Sequence, residues 1–420
     1  MKILIKQVQV VDQNSSLNGQ SADILIEDGI IKQMGDISLP SADTIIDVPG
    51  LFVSPGWVDC FVHFCDPGYE YKETIETGAA AAAAGGFTDV FVIPNTKPVI
   101  DSKGLTEYVR QKSASLPVTI HPIGAITKNT DGKELAEMYD MRASGAIAFS
   151  DGLKPVQSSG LLVKALQYIK AFDGIIIQVP DDQSISPHGL MNEGVVSTQL
   201  GLSGKPAMAE EIIVARDIKL ARYTDSKLHF TGISSAKSIE YIKRGKETGI
   251  SITSSVTPYH LYFTEDDLTQ YDTNLKVNPP LRTVQDKSRL LEAVKNGVVD
   301  CVTAHHLPHE TDSKVSEFEY AKNGMTGLET SYALLNEVLN GEQSLIVKLL
   351  SENPRKIFGL APAAIKEGEP ASLTIFAPGK DWVYGGDSVK SRSRNSPFID
   401  KQLKGKVYGI INKGYLFINQ

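Results

Sequence analysis

The stretch WVDCFVHFCDPGYEYKETIETGAAAAAAGGFTDVFVIPN (57–95) holds one complete strand–helix–strand unit. WVDCFVH (57–63) and FTDVFVIPN (87–95) are apolar, β-branched runs and read as strands. Between them, ETIETGAAAAAAG (73–85) reads as a helix. Its small side chains, Ala79 to Ala84, are bounded by Gly78 and Gly85, and they suit a helix packed close against its neighbour.

Outward from this unit the alternation continues. Further strands are expected at VTIHPIGAI (118–126), GAIAFSD (145–151), GIIIQVP (174–180), LHFTGIS (228–234), SITSSVTP (251–258) and DCVTAHH (300–306). Helical patterns such as LLVKALQYIKAF, EEIIVARDIKLARYTD and DKSRLLEAVKNG lie between them, and GLETSYALLNEVLNG follows the last. Eight strands alternating with eight helices predict a (β/α)8 TIM-type barrel of class α/β. An open doubly wound sheet is the runner-up, but eight parallel strands close naturally. No GxGxxG or GxxxxGK[ST] follows a strand, so a nucleotide cofactor has no support.

Both ends of the chain read differently. KILIKQVQVV, ADILIEDGIIKQMG and TIIDVPGLFV are short strands, with Asp28-Gly29 as a turn. ASLTIFAP, GKVYGIINKG and YLFIN repeat the pattern in the tail, with Asn412-Lys413-Gly414 as a turn. Residues 1–52 and 359–420 are therefore expected to form one small β-sandwich, with the barrel inserted as residues 53–358.

Composition bounds the function. The chain has 420 residues, 42 Lys and Arg against 50 Asp and Glu, and a formal charge of −8. No basic cluster offers itself to phosphates, which disfavours nucleic acid and anionic membrane surfaces as partners. The N-terminus lacks the unbroken apolar core of a signal peptide, and no stretch is long enough to span a membrane. Three cysteines, Cys60, Cys65 and Cys301, are too few for a disulfide framework and fit a reducing cytoplasm. Cys60 and Cys301 read as small buried hydrophobes.

In such a barrel the active site lies at the C-terminal strand ends. The polar side chains expected there are His63, Cys65, Asn95, Asp151, Gln178, Asn278, His305, His306 and His309. Neither a Ser-His-Asp arrangement nor a CxxC can be placed among them. Glu310 and Asp312 follow the histidine cluster and read as solvated loop charges.

Six ordered motifs identify the family. GWVDCFVHFCDPGYEYKETIETG, VIPNTKPVIDS, AFSDGLKPV, VNPPLR, TAHHLPH and GMTGLET resemble the dihydroorotases of the cyclic amidohydrolase superfamily, in the class that associates with aspartate transcarbamoylase. The resemblance implies a metal-dependent barrel that hydrolyses a cyclic amide in pyrimidine biosynthesis. It also implies six metal-ligand positions, of which His63 and Asp151 keep the family residue. The first histidine of the His-x-His pair is Phe61, the fifth-strand histidine is matched to Gln178, and the sixth-strand histidine is Gly232. His305 stands where the family has an aspartate that is both ligand and general base. Cys65 replaces the arginine that grips the substrate carboxylate, and a thiol cannot supply that bidentate pair. Asn95, Asn278 and His309 match the family's other substrate contacts.

Phe61 and Gly232 offer no side-chain donor, and an amide is a poor zinc ligand beside imidazole. Without metal, an attacking water stays near its bulk pKa of about 15.7. The expectation is therefore a non-catalytic dihydroorotase homologue, a pseudoenzyme with no resident cofactor. It would act as a structural partner of aspartate transcarbamoylase, in a homo-oligomer or hetero-complex. Two alternatives stay open. One is an active dihydroorotase or related hydrolase with a rebuilt mononuclear zinc site at His63, Asp151 and His305, with Cys65 as a further donor because 63 and 65 point the same way in an extended segment. The other is a metal-free sensor using Asn95, Asn278 and His309.

Overall fold

The computed structural model describes residues 1–38 and 41–419. Residues 39, 40 and 420, which fall in the expected terminal module, lie outside them. The barrel strands are β1 Trp57–Val62, β2 Phe87–Val92, β3 Thr119–Gly124, β4 Ala148–Phe149, β5 Ile175–Gln178, β6 Lys227–Phe230, β7 Ile252–Val256 and β8 Cys301–Val302. They pair in parallel in that order. Past the end of β8, His306 pairs with Val62, and the His63 N–H donates to the His306 carbonyl at 2.9 Å. That contact closes the circle and removes the open-sheet alternative.

The barrel helices are α1 Ile75–Ala84, α2 Lys103–Lys112, α3 Met138–Ala143, α4 Ser159–Ile169, α5 Met208–Thr224, α6 Ala236–Glu247, α7 Val284–Lys295 and α8 Ser331–Val338. α1 shows how local sequence sets the packing. The Thr74 hydroxyl accepts from the Thr77 N–H and starts the helix. The alanine run then lies buried, and a Cβ added at Gly78 would come within 2.4 Å of the Phe64 ring.

Two apolar layers follow from the side-chain alternation of buried strands. Val58, Phe61, Phe91, Ile123, Ile175, Ile177 and Val179 fill the barrel interior. Val62, Val90, Val92, Ile176 and Phe230 face the helices.

The two chain ends share one sheet. Phe52–Pro55 pairs parallel with Lys2–Val10 on one side and antiparallel with Leu373–Tyr384 on the other. Lys401–Asn412 and Tyr415–Ile418 extend it, turning at Lys413 and Gly414, both left-handed. Asp28 and Gly29 make the same turn at the far edge, between Ser21–Glu27 and Ile30–Gly35. Trp57, the first barrel residue, stacks on Phe376 of this sheet and on Tyr332 of α8. No helix of the described residues is long and apolar enough to cross a membrane.

Candidate functional site

The mouth of the barrel is built from the ends of β1 and β8 inward. Asp59 in β1 accepts from the Thr303 hydroxyl and from the Ala304 and Phe61 N–H groups, which locks the two closing strands together. Burial pushes its carboxyl up to about 6. Asp59 gave no signal in the sequence, because one aspartate inside an apolar strand has no distinguishing pattern.

Phe61 points into the barrel and stacks on the His305 imidazole, with centroids 4.5 Å apart and planes at 30°. His305 adopts φ +45° and shares a 2.8 Å hydrogen bond between its Nε2 and the Thr231 hydroxyl. The ring also covers position 232: a Cβ there would lie 2.6 Å from His305 Cε1, and Gly232 itself has φ +71°. Phe61, Gly232 and His305 thus form one interlocked unit. Burial holds His305 neutral, at about 3. Behind it runs a buried chain that the sequence reading missed. The Ser255 hydroxyl donates to Thr231, while His229 contacts Ser255 through Nε2 and Thr253 through Nδ1.

His63 and Cys65 do not present paired donors. Cys65 has φ +60°, which ends the strand alternation, and its N–H donates to His63 Nδ1 at 2.9 Å. Burial, reinforced by the Lys72 charge, holds His63 at about 3, and burial pushes the Cys65 thiol up. This corrects the expectation that the two side chains mimic a His-x-His pair.

The Asp151 carboxylate is taken up by the loop after β3. One carboxylate oxygen accepts from the Ile126 and Thr127 N–H groups at 2.9 Å each, and the other accepts from the Thr127 hydroxyl at 2.5 Å. It ties the loop after β3 to the loop after β4. Asn95 holds the same loop, donating to the Asp151 carbonyl and accepting from the Leu153 N–H, each at 3.0 Å. Gln178 turns toward the helix layer, where its amide reaches Asp217 of α5 at 3.4 Å. The inward fifth-strand position is Val179, packed in the interior cluster with Phe61. Gln178, matched to the family ligand, thus aims its amide at the helix layer, and its inward neighbour Val179 carries no donor.

Asn278 lies across the mouth with Lys205 and Asp181. Its carbonyl oxygen accepts from Lys205 Nζ at 2.9 Å, and Lys205 pairs with Asp181 at 2.6 Å. His309 sits apart from them. Its Nε2 donates to the Asn323 carbonyl at 2.9 Å, and Lys72 Nζ lies 3.5 Å from its Nδ1. His306 stacks edge-on to Phe64, accepts from the Gly327 N–H through Nδ1 and sets Nε2 3.5 Å from buried Glu73. Glu310 faces Lys72 at 3.8 Å, so the solvated reading fits it only in part.

The site does not fit a binuclear metal centre. Both Asp151 oxygens are committed to the loop, His305 is committed to Thr231 under a phenyl ring, and positions 61, 179 and 232 have no donor. Among the described residues no group of three or more His, Cys, Asp or Glu side chains is arranged to hold a metal ion. The set His63, Cys65, Asp151 and His305 is not brought together.

Comparison with known proteins places this architecture. Residues 50–238 match the dihydro-orotase-like family. The chain is 41% identical over 420 residues to a dihydroorotase of Syntrophus aciditrophicus, covering 99% of this chain and 98% of that one. It is 42% identical over 410 residues to a dihydroorotase of Geobacter metallireducens, covering 96% of each. In three dimensions it is similar to an L-hydantoinase (dihydropyrimidinase) from Arthrobacter aurescens, with a TM-score of 0.86 and 24% identity over 99% of this chain and 96% of that one. A D-hydantoinase superposes with a TM-score of 0.85 at 20% identity, over 100% of this chain and 95% of that one. The full-length match at about two-fifths identity, on a closed barrel with a sheet drawn from both ends, makes this chain a member of the dihydroorotase family.

Proposed function

We propose that this chain is a non-catalytic member of its family, retained as a structural partner of aspartate transcarbamoylase. One observation carries the reading: the Phe61 ring stacked on His305, with His305 in turn covering position 232. Space that must hold cations and a water is filled by two aromatic rings. Two rings packed at these positions supply no Lewis acid to lower the pKa of a water, and His305, held neutral at about 3, is a poor base for one that stays near about 15.7. The preserved barrel, by contrast, is what a partner role requires.

A specific observation favours a second reading, hydrolysis of dihydroorotate to carbamoyl aspartate with a zinc site that forms on loading. Relatives at 41% and 42% identity are named dihydroorotases. Two measurements on protein purified without chelators separate the readings. The first reading expects less than about one-tenth equivalent of zinc after dialysis against the metal, and no turnover of dihydroorotate or carbamoyl aspartate. About one equivalent or more of zinc together with turnover would overturn it. For the partner, the chain is mixed with catalytic chains of aspartate transcarbamoylase, and co-elution is expected. Separate elution at every ratio removes the partner role. A metal-free sensor would instead show a thermal shift with either compound, worth about 2.7 kcal/mol at 100 times the dissociation constant.

A further inference from the structure

We propose that residues 310–323 form a lid on the barrel rim, hinged where Asn395 pins both of its ends and opened when the buried Lys314 amine moves out into water. The two ends meet at one residue. Asn395 accepts from the His309 N–H and donates to the Leu307 carbonyl on one side, and it donates to the Gly324 carbonyl on the other. His309 bridges the same ends through the Asn323 carbonyl. Gly324, with φ +130°, supplies a backbone conformation that glycine adopts freely. Surface loops whose ends are close in this way are a recurrent carrier of function.

Between the ends, little apolar packing holds the segment down. Phe318 packs with Leu275, Val277 and Met325, whereas Val315 and Tyr320 stand out in solvent. The remaining fasteners are two buried amines. Lys314 Nζ donates to the Lys322 and Gly324 carbonyls at 2.7 and 3.0 Å. Lys276, from the loop after β7, lies over the Phe318 ring and donates to the Phe318 and Glu319 carbonyls at 2.7 and 2.9 Å. Lys314 is 5% exposed and Lys276 4%. Among the described residues no carboxylate pairs with either amine. An ammonium seated on carbonyl dipoles alone has given up its hydration without gaining a counter-charge. Burial and the nearby Lys276 charge bring Lys314 down to about 8, against the pull of Asp272. Glu319 and Lys322 act on Lys276 in opposite senses, and burial lowers it too. His309, held by burial at about 4, is neutral throughout this range. Opening returns Lys314 to water and to its ordinary value of 10.5. The open form therefore binds the proton more tightly, so opening is most frequent below about pH 8 and is suppressed as pH rises toward 10.5. It unseats Phe318 and frees His309 from Asn323. This inference rests on the rim alone and is independent of whether the barrel hydrolyses a ring.

Amide hydrogen exchange on the full chain, expressed as protection factors, tests it. The Val315, Ala321 and Lys322 N–H groups, each hydrogen-bonded within the segment, report on the lid, and the Trp57–Val62 strand is the reference. In the wild type the lid is expected to exchange faster than the strand. Its protection should rise roughly tenfold or more from about pH 7 to about pH 9.5, with no such rise in the strand. Lys314→Gln keeps two N–H donors for the carbonyls and removes the charge, so the rise should vanish. Lys314→Met, also neutral, should remove it as well and serves if the first variant fails to fold. Wild-type protection in the lid that is flat or falls over this range overturns the proposal, and that measurement needs no variant. So does a rise that persists in the neutral variant, or a lid as protected as the strand at about pH 7.

Discussion

At position 61 a phenyl ring does two jobs at once. It is buried in the barrel interior, and it gives the His305 imidazole a surface to lie on. Phe61→Ala should therefore lose about 3–5 kcal/mol, the usual cost of emptying a buried aromatic site. A urea midpoint unchanged from wild type would show that the mouth collapses freely and that the stack is unimportant. Phe61→His should bind no zinc alone, because Val179 and Gly232 still lack donors and Asp151 stays bound to Ile126 and Thr127. Stoichiometric zinc in that variant by elemental analysis would contradict the fit argued above. Gly232→His carries a double penalty, a left-handed backbone and a clash with His305. That substitution alone should lower the urea midpoint, and an unchanged midpoint would show that His305 moves aside freely.

At the scale of elements, α1 sets two effects against each other. Gly78→Ala improves helix propensity by roughly 1 kcal/mol. The new methyl group meets Phe64 at 2.4 Å, and overpacking of a core costs about 1–3 kcal/mol. Packing should win, giving a lower thermal midpoint, and a raised midpoint would show that Phe64 moves aside without cost. Thr74→Ala removes the helix cap and should cost about 1 kcal/mol, read in the same melts. β5 carries the register lesson. One residue of shift exchanges the interior and helix faces of a strand, and that is the whole difference between Gln178 and Val179.

Across the whole molecule, the C-terminal segment is tied to the first and eighth loops of the barrel. Ser391 and the Arg392 N–H bond to Glu73, Asn395 bonds to Leu307 and Gly324, and Tyr384 and the Lys390 N–H bond to Glu329. Burial raises Glu329 to about 7, and Glu73 and His306 also lie within its field. The folded chain holds this proton more tightly than the unfolded chain, whose carboxyl titrates near 4.5. Stability should therefore fall as pH rises from about 5 through about 7. Glu329→Gln should flatten that slope in urea unfolding measured across the range, and an unaltered slope would assign it to other groups. The seam between Phe52–Pro55 and Leu373–Tyr384, with Trp57 stacked across it, predicts one unfolding transition for sheet and barrel. Two separated transitions in calorimetry would show that the seam is weak.

The sequence by itself determined the strand–helix alternation, the sheet built from both ends and the absence of a side-chain donor at 61 and 232, because period, turn residues and side-chain chemistry are local properties. Dihydroorotase membership was legible for the same reason, in short motifs of fixed order. Only the tertiary structure decided what those positions face. That Asp151 serves a loop, that Cys65 turns back on His63, and that His305 lies between Phe61 and Thr231 depend on strands far apart in the chain meeting at one rim.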